Sequence, residues 1–318
     1  MKESISPGGK NAGLLQALDE ATAKLLLDSL HDGIYLADKE GKILFWNKEA
    51  EAITGHLEGE VMGQTCSDIL AHIDDQGKIL CLEDCPVQQT LKDGMSRDLE
   101  AYLLHRDGYR LPISLRVIPL RDREGRIAGA AQIFLDVSPK LAMPPGIEDL
   151  NRRELLDPLT ETGNQQFLKI ALDSRLEEMR KFHLSFGFLY VDIDHFSQVT
   201  ESYGKEMGQK IIRMVAKTLQ SNLRFTDIVG RWGADKFLVI LLNVDEAKLS
   251  VVGNKLRLLV QSSYLPLETE TLSVTVSMGG VVAKKRESAS ELMGRAEKLM
   301  LHSKWLGRNR ISLRFEGQ

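Results

Sequence analysis

The most constraining feature of the sequence is a short motif between apolar segments, Arg231-Trp232-Gly233-Ala234-Asp235-Lys236-Phe237. A Gly that ends one apolar segment, followed by a small residue and an acid that open the next, is typical of a β-hairpin. An earlier apolar segment, residues 186–191, ends in Asp192-Ile193-Asp194. If these segments form neighbouring strands, Asp192 and Asp235 lie side by side. Paired carboxylates at strand ends indicate a site for a divalent metal and phosphate.

Length and composition indicate a folded protein of two domains. A chain of 318 residues favours about two domains, and 43% hydrophobic with 27% charged residues is the balance of a globular chain. The net charge of -4 gives no general attraction to nucleic acid, so we expect no nucleic-acid partner. No apolar run approaches the roughly 18 residues of a membrane-spanning helix, and the N-terminus lacks the apolar core of a signal peptide. We therefore expect a cytoplasmic protein without a membrane span.

The first 22 residues are predicted to be a Gly- and Pro-containing tail that leads into an entry helix. Apolar residues recur at helical spacing from Leu14 to Leu30, which predicts this helix. A helix of this kind either packs on a second copy of the chain or covers its own domain, and the sequence leaves both alternatives open.

The next part of the chain has an α+β pattern. We predict strands at 33–38, 42–47, 97–105, 109–120 and 126–136. Turn residues separate the neighbouring segments, and Asn47 is placed to cap a short helix. An antiparallel sheet with small helices is the layout of a sensor-type domain.

Several of these residues also resemble a known family. The matching segments are Asp32-Gly33-Ile34, Ala37-Asp38, Gly41-Lys42-Ile43, Trp46 to Glu51, Thr54-Gly55 and Val61 to Gln64. Residues 23–138 resemble a PAS domain on these segments. The resemblance implies a sensor that binds a small ligand in the concave face of its sheet or dimerises, and it leaves the ligand unknown.

Four nitrogen and sulfur donors lie close together in the sequence of this region, at Cys66, His72, Cys81 and Cys85. Thiolates and imidazole suit Zn²⁺ or iron, which makes a metal site one interpretation. The spacing is not that of a standard zinc finger. The alternative is that the cysteines are buried as small apolar residues.

Residues 139–156 are the predicted linker. Met143-Pro144-Pro145-Gly146 interrupts any continuous helix, which argues against a rigid helical rod between the two halves. A helix can resume between Ile147 and Leu156.

From residue 157 to residue 318 the pattern changes to long helices that alternate with strands. We predict helices at 165–182, 206–223, 247–262 and 288–306, and strands at 185–193, 226–232, 236–243, 272–283 and 310–315. This alternation predicts an α/β domain in which helices flank a mixed sheet.

Six motifs in this half occur in the order of a known family. They are Asp157 to Asn164, Asp192 to Phe196, Gly204 with Gly208, Arg231 to Phe237, Val274 to Gly279 and Gly307 to Arg310. Over residues 155–315 they resemble the GGDEF domain, which has a nucleotidyl-cyclase fold. The resemblance implies a homodimer that binds one GTP per subunit, uses two divalent metals and condenses two GTP into cyclic di-GMP.

The resemblance also assigns roles to individual residues. Metal binding, with Mg²⁺ as the expected ion, falls to Asp192, the backbone of Ile193, and Asp235. The phosphate- and base-binding positions are Phe196, Thr200, Gln209, Lys304 and Arg308. In-line attack on an α-phosphate needs metals to neutralise charge, and basic side chains hold the terminal phosphates.

The hairpin departs from the family signature at two positions, where Gly233-Ala234-Asp235-Lys236-Phe237 replaces Gly-Gly-Asp-Glu-Phe. Ala234 would cost about 1 kcal/mol if the turn required a positive φ. Lys236 puts a positive charge where the family has a metal-site acid. A unit charge roughly 4 Å away is worth about 4 kcal/mol at an effective dielectric near 20, so Lys236 is expected to weaken metal binding.

Three further departures lie around the predicted nucleotide. Ser197 replaces the Lys of the first motif, which removes a positive charge on the phosphate side. Thr200 and Gln209 replace the Asn and Asp that read guanine in the family. Gln offers one donor and one acceptor, which suits adenine better than guanine.

A separate motif, Arg224-Phe225-Thr226-Asp227, matches the Arg-x-x-Asp product-inhibition site of the family. The resemblance implies that Arg224 and Asp227 bind cyclic di-GMP, because Arg can donate to guanine or phosphate and Asp can accept guanine N–H groups. The alternative is structural, with Arg224 capping a helix end and Asp227 fixing a turn.

Together these features favour a signal-transduction protein with a PAS sensor and a catalytically inactive GGDEF domain, which acts as a cyclic di-GMP receptor or as a protein-interaction module. The second hypothesis is a diguanylate cyclase with residual or base-altered activity, for example one that makes mixed cyclic GMP-AMP. The third is a dimerising scaffold that binds no nucleotide. Lys236 separates the first two, since base preference can change without loss of chemistry whereas charge reversal at a metal site cannot easily do so.

Overall fold

The structure is a computed structural model that describes residues 19–138 and 154–315. Two five-stranded sheets organise these residues, one built from strands between residues 33 and 136 and the other from strands between residues 186 and 312. The first sheet is surrounded by short helices and the second by long ones. This arrangement confirms the predicted fold class of an α+β half followed by an α/β half.

The N-terminal sheet has the strand order β2-β1-β5-β4-β3. Its strands are β1 (Gly33–Ala37), β2 (Ile43–Trp46), β3 (Arg97–Leu104), β4 (Arg110–Arg121) and β5 (Ile127–Asp136). The helices of this half are α1 (Glu20–Asp28), α2 (Lys48–Thr54), α3 (Glu58–Val61), α4 (Cys66–Leu70), α5 (Leu80–Glu83) and α6 (Pro86–Asp93). β1 pairs antiparallel with both β2 and β5, so β1 is an inner strand and β5 is the central strand of the sheet.

Asn47 is the predicted helix cap, and its buried side chain does more than cap α2. Its Oδ1 accepts hydrogen bonds from the backbone N–H groups of Ala50 (2.9 Å) and Ile34 (2.8 Å). Its Nδ2 donates to the carbonyl oxygens of Leu27 and Asp32, both at 2.9 Å. One amide therefore ties α1, β1 and α2 together, and the cap prediction is confirmed.

Aromatic side chains fill the interior beside β1. Tyr35, Trp46 and Phe134 are fully buried, and the Tyr35 and Trp46 rings stack with centroids 5.7 Å apart. The buried phenol of Tyr35 is satisfied by Gln132, whose Oε1 lies 3.0 Å from the Tyr35 hydroxyl oxygen. Burial of large rings with a paired hydroxyl is a stable way to build a small core.

Part of the predicted entry segment and most of the linker lie outside the described residues, namely 1–18 and 139–153. The described part of the entry helix is α1, which begins after the N-cap Asp19. Leu25 and Leu26 on α1 are 70% and 51% exposed. Packing of this helix on a second copy of the chain stays a prediction.

The C-terminal sheet is mixed, with the strand order β12-β11-β6-β8-β7. Its strands are β6 (Phe186–Ile193), β7 (Ile228–Arg231), β8 (Lys236–Leu242), β11 (Val276–Val282) and β12 (Ile311–Ser312). β11 and β12 are parallel, and the other neighbouring pairs are antiparallel. The sheet is therefore the mixed sheet that the sequence predicts.

The single strand predicted at 272–283 is in fact two strands. β10 (Thr271–Ser273) pairs with β9 (Tyr264–Pro266) in a separate two-stranded sheet, whereas β11 begins at Val276 and pairs with β6. The apolar and β-branched residues run through both strands, so their pattern does not mark the change of partner.

Four helices cover the two faces of the C-terminal sheet: α7 (Gln165–Phe182), α8 (Phe196–Ser221), α9 (Glu246–Gln261) and α10 (Ala289–Trp305). Side chains of β6 alternate between the faces, with Leu189 and Val191 packed in the cluster of α8 and α9 and Phe188 and Tyr190 in the cluster of α7 and α10. Because strand side chains alternate with period two, Asp192, the penultimate residue of β6, lies on the face shared with Phe188 and Tyr190.

Helix α8 begins ten residues earlier than its predicted start at 206, and it is interrupted at Gly204. Gly204 has φ 83° and ψ 169°, a conformation that glycine adopts without steric cost. On the following turn Gly208 approaches Thr200 so closely that a Cβ would lie 2.6 Å from Thr200 Cγ2. The two glycines therefore allow the first part of α8 to pack against the second.

Candidate functional site

The structure places the two predicted metal-binding carboxylates at adjacent strands. β6 and β8 are neighbours, and Asp192 is the cross-strand partner of Lys236. The backbone N–H of Ile193 donates to the carbonyl oxygen of Asp235 at 3.0 Å. The hairpin and the end of β6 are thus brought together, as the sequence requires for a shared site.

The ammonium group of Lys236 lies between the two carboxylates. Its Nζ is 2.7 Å from Asp235 Oδ1 and 3.3 Å from Asp192 Oδ2. On the other side, Lys304 Nζ lies 2.5 Å from Asp192 Oδ1, an ion pair without the geometry of a hydrogen bond. The site therefore contains two carboxylates and two ammonium groups in contact.

The contacts between these charged groups are strengthened by the burial of Asp192. The Asp192 side chain is only 2% exposed, whereas those of Lys236 and Lys304 are 33% and 28% exposed. Burial acts to lower the pKa of Lys236, but the hydrogen bond to Asp235 and the charges of both carboxylates outweigh it and raise that pKa. Lys236 is therefore a cation at neutral pH, held where opposite charges favour the charged form.

The side chains around Asp192 and Asp235 do not fit a divalent metal in this arrangement. The oxygens that would bind the ion already face Lys236, and a positive charge at that point opposes a second cation. In the described ranges 19–138 and 154–315, no group of three His, Cys, Asp or Glu side chains is arranged to hold a metal. The Mg²⁺ ligands predicted from the sequence are thus adjacent but paired with lysine.

Asp194 is a buried carboxylate to which the sequence assigned no role. It accepts hydrogen bonds from Thr275 Oγ1 and Ser277 Oγ, both at 2.7 Å, and from the backbone N–H of Asn309 at 3.0 Å. Asn309 follows Arg308, whose φ is 66° and whose side chain is exposed. Asp194 therefore fixes the loop that carries one predicted phosphate-binding residue. The sequence signal for this network was the alternation of two hydroxyl residues, Thr275 just before β11 and Ser277 on it.

The predicted base-reading positions lie on the two parts of α8. The hydroxyl of Thr200 donates to the carbonyl oxygen of Ser197 at 2.8 Å, and its methyl group packs against Gly208. Phe196 contacts the same glycine, and Gln209 follows it in the chain. The structure brings Phe196 and Thr200 together at Gly208, and the assignment of a base to them stays a prediction.

The hairpin backbone is held by Arg231. Its guanidinium donates to the carbonyl oxygens of Gly233 (3.0 Å) and Ala234 (2.8 Å) and pairs with Asp157 at 3.3 Å. Ala234 is not among the residues with positive φ, so the conformational penalty considered for it does not arise. Ala234, in place of the signature glycine, therefore adds no backbone strain to this turn. Of the two departures in the hairpin, Lys236 is the one that changes the charge of the site.

The Arg224–Asp227 segment is a closed turn. Asp227 accepts backbone hydrogen bonds from Arg224 (3.0 Å) and Leu242 (3.2 Å) through different oxygens, and its own N–H donates to the Arg224 carbonyl at 2.9 Å. Burial raises the pKa of Asp227, which these hydrogen bonds partly offset. Asp227 therefore fixes a turn, as the structural alternative predicted, and the side chain of Arg224 on that turn is exposed.

The four donors at Cys66, His72, Cys81 and Cys85 are not assembled into the predicted Zn²⁺ or iron site. Cys81 Sγ lies 3.9 Å from His72 Nδ1, and no third Cys, His, Asp or Glu joins them as a ligand within the part of the chain that the structure describes. Cys66 is instead buried, and burial raises the pKa of its thiol. Sequence proximity misled here because Cys66 enters the core at the start of α4.

Among the helices of residues 19–138 and 154–315, none combines the length and the hydrophobicity needed to cross a bilayer.

Two families match separate parts of the chain. Residues 23–137 match the family model described as PAS fold, and residues 154–310 match the one described as Diguanylate cyclase, GGDEF domain. Over 293 residues the chain is 25% identical to a protein named probable diguanylate cyclase DgcE from Escherichia coli (strain K12), covering 91% of this chain and 26% of that protein. It is 29% identical over 171 residues to diguanylate cyclase DgcP from Pseudomonas aeruginosa, covering 52% of this chain and 25% of that protein. The chain thus spans about a quarter of the length of these relatives.

Solved structures match the C-terminal half. Diguanylate cyclase SiaD from Pseudomonas aeruginosa, solved with its activator SiaC, is 29% identical with a TM-score of 0.50 and covers 52% of this chain and 64% of that one. The coiled coil and GGDEF domain of DgcB from Caulobacter crescentus, solved with c-di-GMP, is 26% identical with a TM-score of 0.50 and covers 52% and 88%. Together with the family matches and the two sheets, these similarities show that the chain is a PAS–GGDEF protein related to the diguanylate cyclases.

Proposed function

We propose that this chain is a signalling protein whose PAS domain is the sensor and whose GGDEF domain does not synthesise cyclic di-GMP. The observation that carries the proposal is the ammonium group of Lys236 between Asp192 and Asp235, at 3.3 Å and 2.7 Å. The family reaction needs divalent metals at these carboxylates to neutralise the phosphates and to activate the attacking hydroxyl. The cytoplasmic location expected from the sequence stays a prediction.

The size of the charge effect supports this conclusion. A unit charge about 4 Å from a site is worth about 4 kcal/mol at an effective dielectric near 20. A loss of 1.4 kcal/mol changes an equilibrium constant about tenfold, so a cation within contact distance of both carboxylates opposes metal binding by orders of magnitude. Relative to the family signature, the site also lacks the acid that Lys236 replaces.

Without catalysis, the GGDEF domain would act by binding. We propose cyclic di-GMP or a partner protein as its ligand, and a homodimer as its assembly. Two solved relatives support these classes of ligand, since the DgcB structure contains c-di-GMP and the SiaD structure contains the protein SiaC.

The first prediction concerns turnover. When the purified chain is incubated with GTP, ATP and Mg²⁺, we expect no cyclic dinucleotide, because Lys236 occupies the space between the metal-binding carboxylates. Chromatography with mass detection measures the products, and an active diguanylate cyclase in a parallel reaction verifies the assay. Formation of cyclic di-GMP would contradict the proposal.

A base-altered cyclase is the second candidate, and one observation favours it. Thr200 and Gln209 replace the guanine-reading residues while the fold around Gly208 is intact. In the same assay, a mixed cyclic GMP-AMP product that requires both nucleotides would establish this candidate and reject the first.

The second prediction concerns the Arg224 segment. We expect calorimetric titration with cyclic di-GMP to show binding that falls about tenfold or more in Arg224→Ala, because charged hydrogen bonds contribute roughly 1.5–3 kcal/mol each. Arg213→Ala, an exposed Arg on α8, is the matched control. Asp227 is left unchanged, since its carboxylate holds the turn. No binding by the wild-type chain would reject the receptor role and leave the partner-protein role.

A further inference from the structure

The position of the Lys236 ammonium group is determined by the register of its strand as well as by its charge. It is the first residue of β8 and lies directly across from Asp192 in the ladder between β6 and β8. Directly opposite residues of an antiparallel pair have Cβ atoms about 5 Å apart, so the long Lys side chain has little freedom in which partner it reaches. Its Nζ contacts both Asp192 and the preceding residue, Asp235.

Two carboxylates this close would repel each other without a cation between them. Asp192 is almost completely buried, and a buried charge that loses its partner is costly. Lys304 alone cannot replace Lys236, because it contacts Asp192 Oδ1 from the α10 side, with no contact to Asp235 among the ion pairs of the described residues. The carboxylates therefore need a cation at the Lys236 position specifically.

We infer that Lys236 is a tethered counter-ion that replaces a metal structurally, and that Asp192 and Asp235 bind a divalent cation once the Lys236 charge is removed. This inference rests on the proposed function, because the same two carboxylates are involved. It goes beyond the proposed function because it assigns Lys236 a structural role in addition to the exclusion of metal. The wild-type hairpin is held against β6 without metal, and the metal site is closed by one side chain.

The chain offers substitutions that separate charge from packing. Lys236→Met keeps the length of the apolar stem and removes the charge, whereas Lys236→Arg keeps a cation. Lys304→Met removes the other cation that contacts Asp192 but leaves Lys236 between the carboxylates. Of these three substitutions, only Lys236→Met is expected to leave both carboxylates free to bind a metal.

The test uses Mn²⁺ as the probe, with binding measured by electron paramagnetic resonance and stability measured by thermal unfolding in EDTA and in Mg²⁺. For the wild type, Lys236→Arg and Lys304→Met, we expect no metal-dependent shift of the unfolding midpoint. For Lys236→Met we expect at least tenfold tighter Mn²⁺ binding than in the wild type, a lower midpoint in EDTA and its recovery in Mg²⁺. Adding Asp192→Asn to Lys236→Met is expected to abolish this binding.

Equal Mn²⁺ affinity of the wild type and Lys236→Met would overturn the inference, and so would a Lys236→Met chain that remains unfolded with and without metal. Lys236→Gln is measured in parallel and must gain Mn²⁺ binding as well. The two proposals fail separately. Cyclic dinucleotide formation by the wild type rejects the proposed function, whereas absent turnover with no metal gain in the variants rejects only the counter-ion role.

Discussion

Gly279→Ala is expected to destabilise the GGDEF domain by about 3 kcal/mol or more, at the upper end of overpacking effects. Gly279 lies on β11, where a Cβ would be 1.9 Å from the carbonyl oxygen of Ala296 and 2.3 Å from the backbone nitrogen of Met300. Both of these atoms belong to the backbone of α10, so no side-chain rotation can relieve the clash. The strand and the helix would have to separate.

Such a separation would also disturb the charged site. Lys304 lies near the end of α10 and contacts Asp192 on β6, which is paired with β11. A displaced helix would move this ammonium away from a buried carboxylate. Loss of stability and loss of the ion pair are therefore expected together.

Gly294→Ala provides the matched control because Gly294 lies on α10 itself. No heavy atom lies within 4 Å of a Cβ added there. A helical glycine with open space for a Cβ is expected to gain about 0.5–1 kcal/mol when it is changed to alanine. Urea unfolding followed by circular dichroism measures both variants, and a Gly279→Ala protein as stable as the wild type would show that β11 and α10 approach each other less closely than described.

Local signals in the sequence were sufficient where one residue determines one feature. Asn47 predicts its own helix cap because the capping hydrogen bond spans three residues. The apolar runs at 186–191 and 237–242 predict β6 and β8, and Asp192 after the first run and Asp235 before the second predict a shared site if the strands are neighbours. In each case the physical interaction is between neighbours in the chain or follows from strand periodicity.

Features that depend on tertiary neighbours were missed or misjudged. The charge of Lys236 was evident, but its position between the two carboxylates depends on the register of β6 with β8. The penalty considered for Ala234 depended on a φ value that only the folded turn defines. Cys66 is buried at the start of α4, whereas Cys81 lies 3.9 Å from His72, and neither surrounding follows from the spacing of the cysteines in the sequence. A pattern of residue types carries none of this information.

Replacement of Asp194 is the second change that is expected to lower stability strongly, because its buried carboxylate accepts three hydrogen bonds. It accepts hydrogen bonds from Thr275, Ser277 and the backbone of Asn309, which join β11 and the loop after α10 to the end of β6. Asp194→Ala removes the acceptor of all three donors and leaves them buried or half-buried. Hydrogen bonds to a charged group contribute roughly 1.5–3 kcal/mol each, so we expect a loss of about 3 kcal/mol or more.

Asp194→Asn tests whether the carboxylate or only the shape of the side chain is needed. Its amide keeps one oxygen acceptor, while its NH₂ group faces donors, of which the two hydroxyls can rotate and the Asn309 N–H cannot. We therefore expect a smaller loss than in Asp194→Ala, measured by urea unfolding, with faster amide exchange at residues 307–310 in both variants. If Asp194→Ala were as stable as the wild type and its loop equally protected, the carboxylate would not be what holds the loop that carries Arg308.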